Sequence, residues 1–207
     1  MKDKKRQIIL VSLLMISLLL VTLGVSVSLF SYVRKGSTEN SVKLGSITFK
    51  YTENSNIGNG IMITEALPVT DEVGKIQSGE GKIFDFKVES NLSRSDLEYE
   101  IVAQPTENNT IPLDAVKFYL TDVTDGTEEE LLSTIGENGK VKTLDDYSDT
   151  TIKNATGKTI YQETILRNTK GYIKNFRARM WLREDLDWTD EKYMGKSGAI
   201  RINVYAK

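Results

Sequence analysis

The chain contains no cysteine and no histidine. Without cysteine there is no disulfide framework, no thiol nucleophile and no thiolate metal site, so a folded domain would have to hold together through its core alone. Without histidine there is no imidazole base, no Ser-His-Asp triad, no HExxH zinc helix and no imidazole metal ligand. Paired carboxylates or a Ser-Lys dyad remain chemically open, but no motif for either is present, and the expectation is a protein with no catalytic centre and no cofactor. A basic excess is also missing: 27 Lys and Arg face 29 Asp and Glu. Removing the four basic residues and one acidic residue that precede Ile8 leaves 23 against 28. That balance argues against a nucleic-acid partner, whose phosphates call for a clustered basic surface.

What the chain does have is an almost uninterrupted apolar run from Ile8 to Phe30, entered through Lys2, Lys4, Lys5 and Arg6. About 20 apolar residues span a bilayer core as a helix, and a basic flank stays on the cytoplasmic side. A secretory signal shares these parts and adds small residues at its cut site, which Gly24 to Ser28 supply. Ser26 and Ser28 occupy the minus-three and minus-one positions for a cut before Leu29. The run is also long enough to stay as an anchor. Two fates are therefore open: a secreted or cell-surface protein freed by signal peptidase, or a single-pass membrane protein with its C-terminal part outside. The organisation read from this is a signal or anchor at 1–28, a flexible arm at 29–45 and a β-sandwich at 46–207.

Beyond the polar stretch Ser31 to Lys43, read as a tether, the pattern is that of strands. Ser46 to Tyr51 alternates apolar with polar, and Ile61 to Ile63 is a short apolar run. Pro68 denies its segment a central-strand role, so Ala66 to Gly74 reads as a crossing connection or edge. Phe84, Phe86 and Val88 alternate with Asp85, Lys87 and Glu89, and Leu97 to Ala103 continues the period, which predicts an antiparallel pair joined by the turn Asn91 to Ser95. Val116 to Leu120, Thr159 to Leu166, Tyr172 to Arg183 and Ala199 to Ala206 complete the set. One helix is predicted: Thr127 and Glu130 fit a capping box, Leu131, Leu132 and Ile135 an apolar patch, and Gly136 a stop. Asn138 to Gly157 reads as a long surface loop or insertion. The fold class expected is all-β, an antiparallel sandwich with one short helix behind an N-terminal signal or transmembrane helix.

Few side chains stand out as site candidates. Asp185, Asp187 and Asp190 could present oxygens to calcium, although the regular spacing breaks at Asp190 and Thr189 stands where a calcium loop turns on Gly; a solvated acidic turn is the alternative. Arg177, Arg179 and Arg183 share one strand face and either bind an anionic wall polymer or pair with cross-strand carboxylates. Trp181 and Trp188 either form a sugar platform or pack. The alternating first and last strands read as peripheral, with edges that must be covered or paired, and a neighbour's strand can do the pairing. Ile47 and Phe49 are the strand-addition candidates.

Several of these segments together resemble the TasA/camelysin family of exported Gram-positive proteins. The likeness runs through the small residues before the cut, Leu29-Phe30-Ser31 after it, and Gly45 to Phe49. It continues through Pro68, Asp71 and Gly74 into Phe84 to Val88, then Arg179 to Asp185 and the closing Ile200 to Ala206. The chain departs from the family at Asn91, where an Asn-Gly turn is frequent, and in Asn138 to Gly157. The resemblance implies processing by a dedicated signal peptidase, a jelly-roll-like sandwich and a place in biofilm-matrix fibres, where the N-terminal segment of one subunit, here Leu29 to about Phe49, completes the sheet of the next. Its partners would then be further copies of itself or other matrix proteins. Some members carry a peptidase label, which a chain without histidine does not support as zinc chemistry. The alternative function is a membrane-anchored module that binds a wall polymer or a protein.

Overall fold

Among the described residues, ten strands in two antiparallel sheets make up the architecture. The computed structural model describes residues 39–44, 47–53, 60–63, 67–78, 82–92, 95–187 and 189–206, the first two of these segments by backbone pairing alone. The strands are β1 (Glu39–Leu44), β2 (Ile47–Glu53), β3 (Ile61–Ile63), β4 (Ile83–Asn91), β5 (Leu97–Pro105), β6 (Val116–Asp122), β7 (Glu129–Glu130), β8 (Lys158–Ile165), β9 (Tyr172–Leu182) and β10 (Gly198–Ala206). One sheet has six strands in the order β1-β2-β4-β9-β6-β7, the other four in the order β3-β10-β5-β8. The cut site Ser26, Ser28 and Leu29, and the apolar run itself, lie outside the described residues. Among the described residues, no helix is long and apolar enough to cross a membrane.

Period-two alternation dictates which residues face inward. Phe84, Phe86 and Val88 of β4, Tyr99, Ile101 and Ala103 of β5, and Phe176, Ala178 and Met180 of β9 meet in one core with Ile200, Ile202 and Val204 of β10. At its centre Phe86 stacks on Phe176 with centroids 5.1 Å apart, and Tyr161 meets Phe176 edge-on at 5.6 Å. The all-β sandwich expected from the sequence is what folds.

Partner choice differs from expectation in three places. β4 and β5, predicted to pair, lie in different sheets: β4 is hydrogen-bonded to β2 and β9, and β5 to β10 and β8. Their connection crosses the sandwich, so both apolar faces point into the same core from opposite sides. β10, read as peripheral, lies between β3 and β5. The stretch read as an arm contains β1, which pairs with β2 from Glu39↔Thr52 to Leu44↔Ile47, so β2 is flanked on both sides within the chain.

The predicted helix is replaced by β7 and a single 3-10 turn at Leu132–Thr134. Leu131 N donates to Leu120 O, Glu130 of the expected capping box pairs with Lys75, and its neighbour Glu128 pairs with Arg179, so the segment is held by tertiary partners. The α-helix among the described residues, α1 (Asp71–Lys75), sits in the segment read as a crossing. Five residues are far below the roughly 12–15 that a free helix needs, so packing must hold it. It does: Gly74 lies flat on the Trp181 ring, where an added Cβ would fall 2.2 Å from Cε2. The long polar stretch is likewise a packed flap. Leu144 and Tyr147 are buried, and the Tyr147 hydroxyl donates to Phe118 O at 2.9 Å.

Candidate functional site

The two sheets are joined at one end by an inward-facing polar cluster. β8 supplies Tyr161 and Glu163, β5 supplies Tyr99, β9 supplies Tyr172 and Lys174, and β6 ends in Asp122. The hydroxyls of Tyr99, Tyr161 and Tyr172 donate to Glu163 Oε2 at 2.7, 2.8 and 2.8 Å, and Lys174 Nζ lies 3.1 Å from the same oxygen. Lys174 also donates to the Tyr161 hydroxyl at 2.8 Å and lies 3.5 Å from Asp122 Oδ2. The amine sits over the Tyr161 and Phe176 rings, 5.0 and 5.8 Å from their centroids.

Charge states follow from this geometry. Burial alone would push Glu163 up, but the hydroxyls of Tyr172, Tyr99 and Tyr161 and the charge of Lys174 outweigh it and hold the carboxyl below its usual range. Burial works against the charged form of Lys174, and the bonds to Tyr161 and Glu163 override it, raising its pKa. Burial pushes the Tyr99 and Tyr172 hydroxyls up. A carboxyl depressed in the fold stabilises it above the unfolded pKa, about 4.3, and that contribution is lost as pH falls through the lower folded value. Glu163→Gln is therefore expected to lower stability at neutral pH and to flatten the acid limb of a stability-versus-pH curve. Urea titrations between pH 2 and 7 check this; identical acid limbs would refute it.

The outer face of the six-stranded sheet carries the arginines. Arg177 makes a two-bond fork with its direct cross-strand partner Asp85, both bonds 2.8 Å. Arg179 pairs with Glu128 through both terminal nitrogens and donates from Nε to Gln77 O at 2.8 Å. Arg183 faces Asp185 at 3.1 Å. The cross-strand reading holds for Arg177; Arg179 meets Glu128 just ahead of β7, and Arg183 pairs locally with Asp185 two residues on. Trp181 is 2% exposed, packed edge-on against Tyr119 and under Gly74, so it offers no sugar platform; Trp188 lies outside the described residues.

The acidic turn is used locally. Asp187 Oδ1 accepts from the N–H and hydroxyl of Thr189 at 3.0 and 2.8 Å, Asp190 Oδ1 accepts from Lys192 N at 2.8 Å, and Asp185 pairs with Arg183. Among the described residues no group of three or more acidic side chains converges to hold a metal ion. Ile47 and Phe49 lie on β2, where the register sets Ile47 opposite Leu44 and Phe49 opposite both Val42 and Ser90.

Sequence reasoning missed the tyrosine–carboxylate cluster entirely. Its members come from four strands, and the one local signal is that Tyr161, Glu163, Tyr172 and Lys174 stand on the inward register of their strands. A polar residue at an apolar position of an alternating strand is the trace to look for.

Fold and clusters together define an antiparallel β-sandwich whose larger sheet ends in a hairpin of β1 and β2 and whose layers are tied by half-buried polar groups. No family model matches the chain, and no curated protein does. Among solved structures it is similar to the K1 cleaved adhesin domain of Lys-gingipain from Porphyromonas gingivalis W83, at 11% identity, with 86% of this chain and 97% of that chain covered and a TM-score of 0.21. At that TM-score the likeness carries no argument.

Proposed function

We propose that the chain is an exported structural protein, a jelly roll that assembles through its N-terminal hairpin into extracellular matrix fibres, or onto them as an accessory. The observation that carries this reading is the attachment of the hairpin. β1 pairs with β2, and β2 joins the rest of the sheet through the β4 ladder from Thr48↔Asn91 to Glu53↔Phe86. A hairpin at a sheet end, first in the domain and followed by the Asn- and Gly-rich sequence 54–60, is the kind of element that copies of a chain can exchange. Given by one copy to the β4 edge of the next, it makes a head-to-tail contact that propagates.

Other features support the same reading. The orders β3-β10-β5-β8 and β4-β9-β6-β7, in which consecutive strands cross between sheets except at β6 to β7, support the jelly-roll part of the reading. The basic-then-apolar N-terminus supports export by signal peptidase, with the cut before Leu29 placing the arm and hairpin at the new terminus. No catalytic step belongs to this reading; its partners are further copies of the chain and other matrix proteins.

Replacing both Ile47 and Phe49 with Asp tests it. Phe49 occupies the register position opposite Ser90, which is 4% exposed, and an unpaired charge introduced beside a buried position is costly. The double variant is expected to stay soluble, to keep the far-UV spectrum of a β-sandwich and to form no fibres by electron microscopy. Fibres of wild-type abundance from the folded variant would sink the proposal.

A further inference from the structure

We propose that Lys174 and Asp122 condense into an intramolecular amide, with Glu163 carrying the protons. The inference rests on the cluster's geometry and is independent of whether the protein assembles.

Lys174 on β9 and Asp122 on β6 occupy the inward face of neighbouring strands, one diagonal step apart, since Asp122 directly opposes Phe176. The amine therefore lies against the carboxyl, 3.5 Å from Oδ2, and 3.1 Å from the Glu163 carboxylate on the facing sheet. Side-chain exposures are 16% for Lys174, 19% for Asp122 and 28% for Glu163, and the Tyr161 and Phe176 rings wall the amine in. Confinement of this kind replaces a bimolecular encounter with a positioned one.

The two oxygens of Asp122 are differentiated for the reaction. Oδ1 accepts from Thr124 N at 2.9 Å and from the Thr124 hydroxyl, donors that would hold the charge developing there as the carbon becomes tetrahedral. Oδ2 faces the amine. Glu163 is the poorer electrophile, because its Oε2 is already engaged by three hydroxyls and the amine, so its role is to take and return protons.

The step balances without a co-reactant. The resting pair is a Lys174 ammonium and a Glu163 carboxylate; in the minor state in which one proton has passed from the ammonium to Glu163, the nitrogen lone pair attacks Asp122 Cγ, and the Nζ–Cγ bond forms. The Cγ–Oδ2 bond then breaks, and Oδ2 leaves as water with two protons that began on Lys174, relayed through Glu163. Glu163 ends as it began, and one positive and one negative charge disappear. The product staples β6 to β9 in a chain that has no cysteine to do so.

Peptide mass mapping of the full chain recovered from the cell surface or medium is decisive. Trypsin cannot cut after an acylated Lys174, so the expected species joins Phe118–Lys140 to Gly171–Arg177 with the mass of one water missing. Asp122→Ala abolishes it, and Glu163→Gln slows its formation by the roughly 10²–10⁴-fold that a positioned acid–base group supplies. Unlinked Phe118–Lys140 and Gly171–Lys174 in full yield from the wild-type chain would overturn the proposal, as would a link from Lys174 to Glu163 instead.

Discussion

Asp71→Ala is expected to destabilise the domain by about 3–5 kcal/mol, read from the midpoint of guanidinium unfolding. Asp71 opens α1 and pairs with Lys117, which reaches it from the outer face of β6 and is only 5% exposed as a residue. Its second oxygen accepts from Val141 N at 2.8 Å, so one carboxylate holds together the helix, the sheet and the flap. Removing it strands a buried ammonium, which costs far more than the pair contributes. The control separates these two quantities. Lys117→Met in the Asp71→Ala background is expected to recover most of the loss, because replacing both members of a buried pair with apolar groups is often close to neutral; the orphaned Val141 N–H leaves a residue of about 1–3 kcal/mol. A single-variant loss under about 1 kcal/mol, the range of exposed pairs, would show that Lys117 escapes to solvent.

Phe176→Ala is expected to cost a similar 3–5 kcal/mol, by lost transfer energy and by the cavity left behind. Phe176 is fully buried where the two layers meet, stacked on Phe86 and set edge-on to Tyr161. β9 is flanked by β4 and β6, so the backbone on either side cannot collapse into the void without breaking ladder bonds. At about 2–4 °C per kcal/mol for a domain of this size, calorimetry should show a fall of roughly 6–20 °C. Leu132→Ala is the contrast. That side chain is 80% exposed, and its truncation should stay within about 0.5 kcal/mol. Equal effects from the two would mean that the core is not centred on the Phe86–Phe176 stack.

The strands were legible because alternation is a local property. Whether Phe84, Phe86 and Val88 face one side of β4 depends only on the geometry of an extended chain, and six of the ten described strands can be read from such alternation, with β3 read from a short apolar run and β8 from its β-branched residues. β1 was not, because Glu39 to Leu44 is mostly polar and becomes a strand through its ladder with β2. Two-residue β7 has no period at all. The helix was misassigned because a capping box is a local preference worth about 1 kcal/mol, which the ties of Glu128 to Arg179 and of Glu130 to Lys75 and Tyr119 readily displace. α1, by contrast, is made by tertiary packing: Gly74 against Trp181 and Asp71 against Lys117 hold a helix too short to stand alone.

By itself, the sequence determined the all-β class, the absence of thiol and imidazole chemistry, and the inward and outward face of nearly every strand. These follow from residue counts and a two-residue repeat, neither of which depends on distant partners. Only the tertiary structure decided that β4 and β5 cross between sheets, that Trp181 and Lys117 lie under α1 and the flap, and that Asp122, Glu163 and Lys174 meet. The reason is that pairing and layering are settled by the total burial and hydrogen bonding of the assembled sheets. Asp122 and Lys174 are more than fifty positions apart in the chain, and only the β6–β9 register, with β8 laid over it, brings an amine between two carboxylates.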